Sequence, residues 1–172
     1  MADISDKFRK VEEKLDMVLK NKEKFQPQNQ VQSEESLEIL ENLPLTSDSS
    51  FVDLNERMSK DKHLRHLIVK VLISVGGRDM RSHINNMLRR ILSDEVAEQY
   101  SISGKSLVKN MSKKPFLATE IAKSIFHACQ SVFRDLATEV KMKEAVGDWL
   151  NQAKVRRTRR MQRQGKNVEN ID

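Results

Sequence analysis

The sequence predicts an all-α protein: a compact bundle of about five helices, preceded by an N-terminal heptad helix and followed by a basic C-terminal arm. Three observations support this fold class. Apolar residues recur at spacings of three and four through most of the chain, as on one face of a helix. Five glycines and three prolines in 172 residues leave few turns. Charged residues make up 33% of the chain and aromatic residues 5%, so we expect a small, aliphatic core.

The first predicted element is a coiled-coil or amphipathic helix over residues 1–25. Its apolar residues follow a heptad pattern over about three heptads. That is about the least that sustains a coiled coil, since shorter isolated helices are marginal in water. We therefore expect either a homodimer through this helix or a helix that docks on the domain. A membrane-surface helix is disfavoured because the polar face mixes both signs of charge. The residues predicted to face a partner chain are Ile4, Phe8, Val11, Leu15 and Val18.

Residues 26–49 are predicted to be an acidic, disordered linker. The stretch from Gln26 to Ser50 holds five acidic residues and no lysine or arginine. Few large apolar residues occur in it, so most of the stretch cannot bury enough surface to offset the entropy of ordering. The exception is Leu43-Pro44-Leu45, which we interpret as a short apolar clip that opens the folded part.

The folded domain is predicted over residues 50–157, with Ser50 as the N-cap of its first helix. The second helix, from Leu64 to Val75, is the most apolar in the sequence. Gly76-Gly77 follows it directly, and glycine is the residue that most readily adopts the left-handed conformation at a helix C-terminus. The sequence therefore predicts two helices and a glycine cap before residue 78.

Three further helices are predicted in the domain before its last one. Asp79 is expected to cap a helix that runs through Leu92, and residues 93–100 are expected to form a short helix with acidic residues in its first turn. After an irregular stretch and Pro115, a long helix is expected to begin at Thr119 or Ala118. The sequence thus predicts helices separated by one polar loop.

This loop, residues 101–114, contains Gly104-Lys105-Ser106, which matches the end of a phosphate-binding loop. The match fails because position 99 is glutamine rather than glycine and because no strand precedes it. We therefore predict a basic patch rather than a nucleotide site. Its residues are Lys105, Lys109, Lys113 and Lys114.

The last predicted helix begins near Thr138 and carries an apolar stripe centred on Trp149. Continued at 100° per residue, this helix places Arg157 and Arg160 on the same face as the stripe. An acid-free run of seven basic residues extends to Lys166, which is typical of a helix that leaves its domain to meet a polyanion. The predicted nucleic-acid contacts are Lys154, Arg156, Arg157, Arg159, Arg160 and Arg163, and residues 158–172 are predicted to be a basic tail.

The net charge of +6 is unevenly distributed along the chain. Residues 1–50 hold seven basic and eleven acidic residues, whereas residues 154–172 hold seven basic and two acidic ones. This gradient favours nucleic acid as the partner of the second half. Binding of single strands by base stacking is disfavoured, since most of the few aromatic residues occupy predicted core positions.

The sequence lacks the patterns typical of catalytic, metal and membrane-spanning sites. His63, His66, His127 and Cys129 are residue types that bind zinc, but the paired-cysteine spacing of a structural zinc site is missing. No catalytic motif occurs, so we expect no enzyme, no metal and no cofactor. No run of eighteen apolar residues occurs and the charged start lacks the apolar segment of a secretory signal, so we expect no membrane span. One cysteine agrees with a reducing compartment.

Several of these motifs together resemble a known family. In order they are residues 43–45, the segment 72–79 ending in Gly-Gly-Arg-Asp, residues 87–92 with Tyr100 and Gly104-Lys105, and Trp-Leu-x-x-Ala-Lys-x-Arg at 149–156. Over about residues 43–157 the chain resembles an uncharacterised domain-of-unknown-function family of transposon-derived and regulatory animal proteins.

The second half, about residues 87–160, is similar to the BEN domain, an all-helical module that binds DNA and mediates protein contacts in chromatin regulators. This resemblance implies a DNA-facing role for the basic residues 154–160 and a supporting role for the loop lysines. We therefore expect a double-stranded DNA-binding module of a nuclear, chromatin or transposon-related protein, with chromatin or regulatory proteins as further partners. The alternative is an oligomerising protein-interaction adaptor whose basic tail is only a nuclear import signal.

Overall fold

The computed structural model describes residues 39–105 and 112–169, with side chains up to Gln164. A compact unit begins at Asn42. The predicted heptad helix, with Ile4, Phe8, Val11, Leu15 and Val18, lies outside the described residues, as do most of the predicted linker and Lys109.

The described part of the compact unit is mostly helical, which confirms the all-α fold class. A two-residue parallel strand pair, Tyr100 with Lys114 and Ser101 with Pro115, is a small exception. The elements in order are α1 (Asp48–Lys60), α2 (Lys62–Ser74), α3 (Met80–Ile91), α4 (Asp94–Ala97), β1 (Tyr100–Ser101), β2 (Lys114–Pro115), a 3-10 helix (Phe116–Ala118), α5 (Glu120–Phe133), a second 3-10 helix (Arg134–Leu136), α6 (Glu139–Asn151) and α7 (Ala153–Glu169).

The core is built around α5, which packs against α1, α2 and α3. Helix α6 also packs on α3, and α7 packs on the short helix α4. The core is mainly aliphatic, with one aromatic cluster of Phe51, Tyr100 and Phe116. Trp149 and Cys129 are both buried, as the apolar stripes of their helices predict. Among the described residues, no helix is long and apolar enough to span a membrane.

Most helix ends follow from local capping. Asp79 caps α3 in a capping box with Ser82, and the Thr119 side chain accepts a hydrogen bond from the Ala122 N–H at the start of α5, as predicted. Gly76 has a φ of 69°, the left-handed conformation expected after α2. The predicted N-cap Ser50 is wrong. Ser47 is the cap of α1, because its hydroxyl accepts the Ser50 N–H at 3.1 Å and so places Ser50 in the first turn.

The apolar clip is confirmed, since Leu43 and Leu45 are both buried. The Leu45 N–H donates to the Ile91 carbonyl at 2.7 Å, and the Ser93 N–H donates to the Leu45 carbonyl at 3.0 Å. The clip therefore spans the junction between α3 and α4. It fixes the position at which the acidic helix α4 begins.

Two predicted helix boundaries are wrong. Helix α4 ends at Ala97 rather than Tyr100, since Tyr100 pairs with Lys114 in the small sheet. The last helix is not continuous through Arg160, because α6 ends at Asn151 and α7 begins at Ala153. At the junction the Gln152 N–H donates to the Asp148 carbonyl, as in an α-helix, and also to the Leu150 carbonyl.

Candidate nucleic-acid interface

At the junction of α6 and α7, the side chain of Arg156 lies over the ring of Trp149. The Arg156 guanidinium lies 4.0 Å from the centre of the Trp149 ring, and its Nη1 donates to the Trp149 carbonyl at 2.6 Å. Its Nε donates to Asp94 Oδ1 at 2.8 Å. The Arg156 side chain is only 20% exposed, so these contacts occur in a partly desolvated setting where cation–π and charged hydrogen bonds are stronger. Arg156 therefore links α7 both to the end of α6 and to α4.

Three acidic residues, two in α4 and one at its C-terminal end, pair with three arginines of α7. Asp94 contacts Arg156 and also lies 3.6 Å from Nη1 of Arg160. Glu95 accepts a hydrogen bond from Nη2 of Arg160. These pairs join residues more than sixty positions apart in the chain.

Helix α4 has four residues, too few for independent stability, so its contacts with α7 and with the clip keep it ordered. The fourth pair is Glu98 with Arg157, whose Nη1 donates to Glu98 Oε2 at 3.0 Å. The predicted arm that leaves the domain is therefore wrong for the first two turns of α7. These turns pack on α4 because the acids there satisfy the arginines.

The pKa of the Glu95 carboxyl lies below its usual value. The largest cause is the hydrogen bond from its own backbone N–H, which outweighs the opposing effect of burial. The Ser93 hydroxyl and the positive charges of Arg160 and Arg157 lower the pKa further. Glu95 is therefore ionised at neutral pH and competes with any other anion for Arg160.

One flank of α7 is a groove of about 390 Å³ lined by arginines at helical spacing. Beside it lies a hollow of about 260 Å³ between α3, α4 and α7, and the two share Arg156 and Arg160. The hollow adds Arg89, from the last turn of α3. We call this combined surface the basic groove, and its cations are Arg89, Arg156, Arg159, Arg160 and Arg163.

The cations of the basic groove fall into two classes. Arg156 and Arg160 are held by acids of α4, as described above. Arg89, Arg159 and Arg163 are exposed and have no acidic partner within 4.0 Å among the described residues. An external anion can therefore bind Arg89, Arg159 and Arg163 without replacing an internal carboxylate.

The other predicted contacts lie outside the basic groove. Arg157, Lys113 and Lys114 line a mixed-charge cleft of about 480 Å³ with Glu95 and Glu98. Two further lysines, Lys154 and Lys105, are exposed and line neither surface. The structure thus brings together four of the six predicted cations of the last helix and separates them from the loop lysines.

Lys114 is committed to a structural contact. Its Nζ pairs with Asp48 at the start of α1, and the Tyr100 hydroxyl donates to the other oxygen of the same carboxylate at 2.9 Å. The hydrogen bond from Lys114 is the largest cause that lowers the pKa of Asp48. These contacts hold the small sheet on α1. Lys114 is therefore less available to a ligand than the sequence analysis predicts.

Arg89 was not among the predicted site residues. Its outward position on α3 was evident from the apolar pattern, but no local signal relates it to α7, which lies more than sixty residues further along. Arg89 lines the same hollow as Arg156 and Arg160, together with Pro44 of the clip, Asp94 of α4 and Trp149. No sequence feature of the chain alone identifies it.

No metal centre is formed by the described residues, which contain no group of three or more histidine, cysteine, aspartate or glutamate side chains suited to a metal ion. His63 and His66 are exposed on α2, whereas Cys129 is buried on α5. Burial raises the pKa of the Cys129 thiol to about 11, so the thiolate form of a metal ligand is disfavoured there.

A family model described as Domain of unknown function (DUF4806) matches residues 40–129, which is just over half of the chain. The match contains Arg89 and the acids of α4, and it ends before Trp149 and α7. Neither a curated protein nor a solved structure matches the chain significantly.

Proposed function

Because the chain belongs to the DUF4806 family, which is defined without a function, we propose a function from the geometry of the site: a module that binds double-stranded DNA through the basic groove. The observation that carries the proposal is the set Arg89, Arg159 and Arg163. These three exposed arginines come from two helices, border one continuous surface and lack acidic partners among the described residues. A surface of this kind suits a polyanion with regularly spaced charges.

The proposed binding is electrostatic at first and directional at close range. Each neutralised phosphate releases condensed counterions, so the logarithm of affinity falls with the logarithm of salt concentration by about 0.9 per contact. If only the three free arginines contact phosphates, the expected slope is about −3. If all five arginines of the basic groove do, the expected slope is about −4.5. Arginine also pairs bidentately with phosphate and with guanine edges, which a lysine cannot do.

The setting we propose is a nuclear protein of chromatin or transposon-related origin. The resemblance of residues 87–160 to the BEN domain supports this setting, since that module binds DNA and contacts proteins in chromatin regulators. Chromatin or regulatory proteins and a second copy of the chain, joined through residues 1–25, are the further partners proposed. We propose no catalytic activity and no cofactor for this chain.

The test is a fluorescence-anisotropy titration of labelled duplex DNA at two salt concentrations. The variant Arg159→Ala with Arg163→Ala removes two free cations of the basic groove. The matched control, Lys62→Ala with Lys70→Ala, removes two exposed charges from α2, which does not border the groove. We expect the groove variant to bind duplex DNA at least about tenfold more weakly than the wild type. The magnitude of its salt slope should fall by about two, and the control should change little in either quantity.

Equal losses in both variants would mean that only net charge matters and that the groove is not the contact surface. A wild-type protein that does not bind duplex DNA at either salt concentration would refute the proposed function. Both variants should keep the wild-type melting temperature, because the side chains removed are exposed and lie outside the core.

A second candidate function is a protein-interaction adaptor. The observation that favours it is the exposed apolar surface at the connection between α5 and α6, where Leu136 is 69% and Val140 67% exposed. Two large, exposed apolar side chains only four positions apart in the chain are compatible with a protein-binding surface. The variant Leu136→Ser with Val140→Ser would abolish partner capture under this function and leave duplex DNA affinity unchanged.

A further inference from the structure

Arg160 lies between two carboxylates that differ in their surroundings. Its Nη1 is 3.6 Å from Asp94 Oδ2, and its Nη2 donates to Glu95 Oε1. The Asp94 side chain is 13% exposed and also holds Arg156, whereas the Glu95 side chain is 42% exposed. Arg160 itself is 46% exposed and borders the basic groove.

The two ion pairs therefore respond differently to an incoming anion. An exposed ion pair contributes little, because both groups are solvated and screened by salt, so another anion readily replaces the carboxylate. A partly buried carboxylate that holds two arginines is much harder to replace, since removing it leaves two charges without a partner. Glu95 is thus the exchangeable partner of Arg160, and Asp94 is the permanent one.

We propose that Glu95 occupies the place of a DNA phosphate on Arg160 and is exchanged for that phosphate when DNA binds, whereas Asp94 is a positioning residue that keeps Arg156 and Arg160 directed along the basic groove. The inference rests on the proposed DNA-binding function and assigns opposite effects to two neighbouring carboxylates. Glu95 lowers the affinity for DNA. Asp94 raises it, although both residues carry the same charge.

The experiment compares three variants that each raise the net charge by one: Asp94→Asn, Glu95→Gln and Glu139→Gln. Glu139 pairs with Lys143 at the start of α6 and does not border the groove, so its variant reports the effect of net charge alone. Relative to Glu139→Gln, we expect Glu95→Gln to bind duplex DNA about threefold tighter, with a salt slope steeper by about 0.9 because one more arginine engages a phosphate.

Asp94→Asn should bind about threefold more weakly than Glu139→Gln despite its equal charge, because the freed arginines lose their fixed direction. A second comparison tests the exchange without relying on this variant. In an Arg160→Ala background, Glu95→Gln should no longer differ from Glu139→Gln, since the residue that exchanges partners is absent. Circular dichroism melts of all variants establish that each is folded at the temperature of the titration.

The outcomes separate the inference from the function on which it rests. If the wild type binds DNA but Glu95→Gln matches Glu139→Gln, the exchange is refuted and the DNA-binding function stands. If Asp94→Asn is folded and binds as tightly as Glu139→Gln, the positioning role is refuted. A wild type that does not bind duplex DNA refutes both the function and the inference.

Discussion

Arg156 stacks on Trp149 across the junction of two helices, with its guanidinium 4.0 Å from the ring centre and its Nη1 on the Trp149 carbonyl. The stack requires a planar cation that can donate in several directions at once. Lysine offers a point charge on a flexible stem and cannot reproduce the stack together with the hydrogen bonds to Trp149 and Asp94. The relationship therefore depends on arginine rather than on positive charge.

We predict that Arg156→Lys lowers the free energy of unfolding by about 1–2 kcal/mol, because it weakens the stack and two charged hydrogen bonds in a partly buried site. Since Trp149 is the single tryptophan of the chain, the same substitution should also change the emission spectrum of the folded protein. Urea denaturation followed by tryptophan emission measures both. Arg163→Lys, on the exposed flank of the same helix, should change neither quantity.

Trp149 anchors α6 in the core and is 4% exposed. Truncation of a buried tryptophan to alanine typically costs about 3–5 kcal/mol, because contacts are lost and a cavity remains. This loss approaches the whole stability of a small domain. We predict that Trp149→Ala unfolds the bundle or sharply lowers its melting temperature, as measured by circular dichroism. Near-normal stability would show that Trp149 is not a core anchor and would instead favour a role in binding.

The two positions that follow α2, Gly76 and Gly77, require glycine for different physical reasons. Gly76 has a φ of 69°, and a Cβ there would meet no atom within 4 Å, so the conformation alone disfavours other residues. A Cβ on Gly77 would lie 2.4 Å from the Cα and the backbone N of His83, at the start of α3. The second position therefore needs glycine because two backbone segments approach each other closely.

We predict that Gly76→Ala destabilises the domain by about 1 kcal/mol, the cost of a left-handed alanine, and that Gly77→Ala destabilises it by about 2–3 kcal/mol because the backbone has to shift. Chemical denaturation of the two variants gives the comparison directly. A smaller loss for Gly77→Ala than for Gly76→Ala would show that the contact with His83 relaxes easily.

Features fixed by neighbouring residues were predictable from the sequence. Asp79 was identified as a cap because a capping side chain bonds to an N–H only three residues away. The buried stripe around Trp149 followed from helical spacing alone. Such local rules determine which face of each helix is buried, and therefore the fold class.

The candidate site depended on distant pairs and was only partly predictable. The basic run of α7 was visible, but the acids Asp94 and Glu95 that hold it lie more than sixty residues earlier. Periodicity carries no information about which helix a charged face meets, so Arg89 was missed. The interruption of the helix at Gln152 was also missed, because its residue type is compatible with a continuous helix.

A buried histidine gives the domain a specific pH dependence. His83 is buried on α3, its ring lies edge-on to Phe133 at 5.6 Å, and its Nε2 has no hydrogen-bond partner among the described residues. Burial lowers the pKa of His83 below its usual value, and a hydrogen bond with the backbone of Gly76 opposes this effect only in part. The folded state therefore favours neutral His83.

The sign of the pH effect follows from this lowered pKa. Between the folded pKa of His83 and the unfolded value of about 6.5, the unfolded chain binds more protons, so the free energy of unfolding falls as the pH decreases below 6.5. We predict that His83→Gln reduces this fall between pH 6.5 and pH 5, a window above the carboxylate titrations, in urea denaturation at fixed ionic strength. His127→Gln, which removes an exposed histidine from α5, should retain the wild-type dependence. Identical pH profiles for wild type and His83→Gln would mean that His83 is as readily protonated in the folded domain as in the unfolded chain.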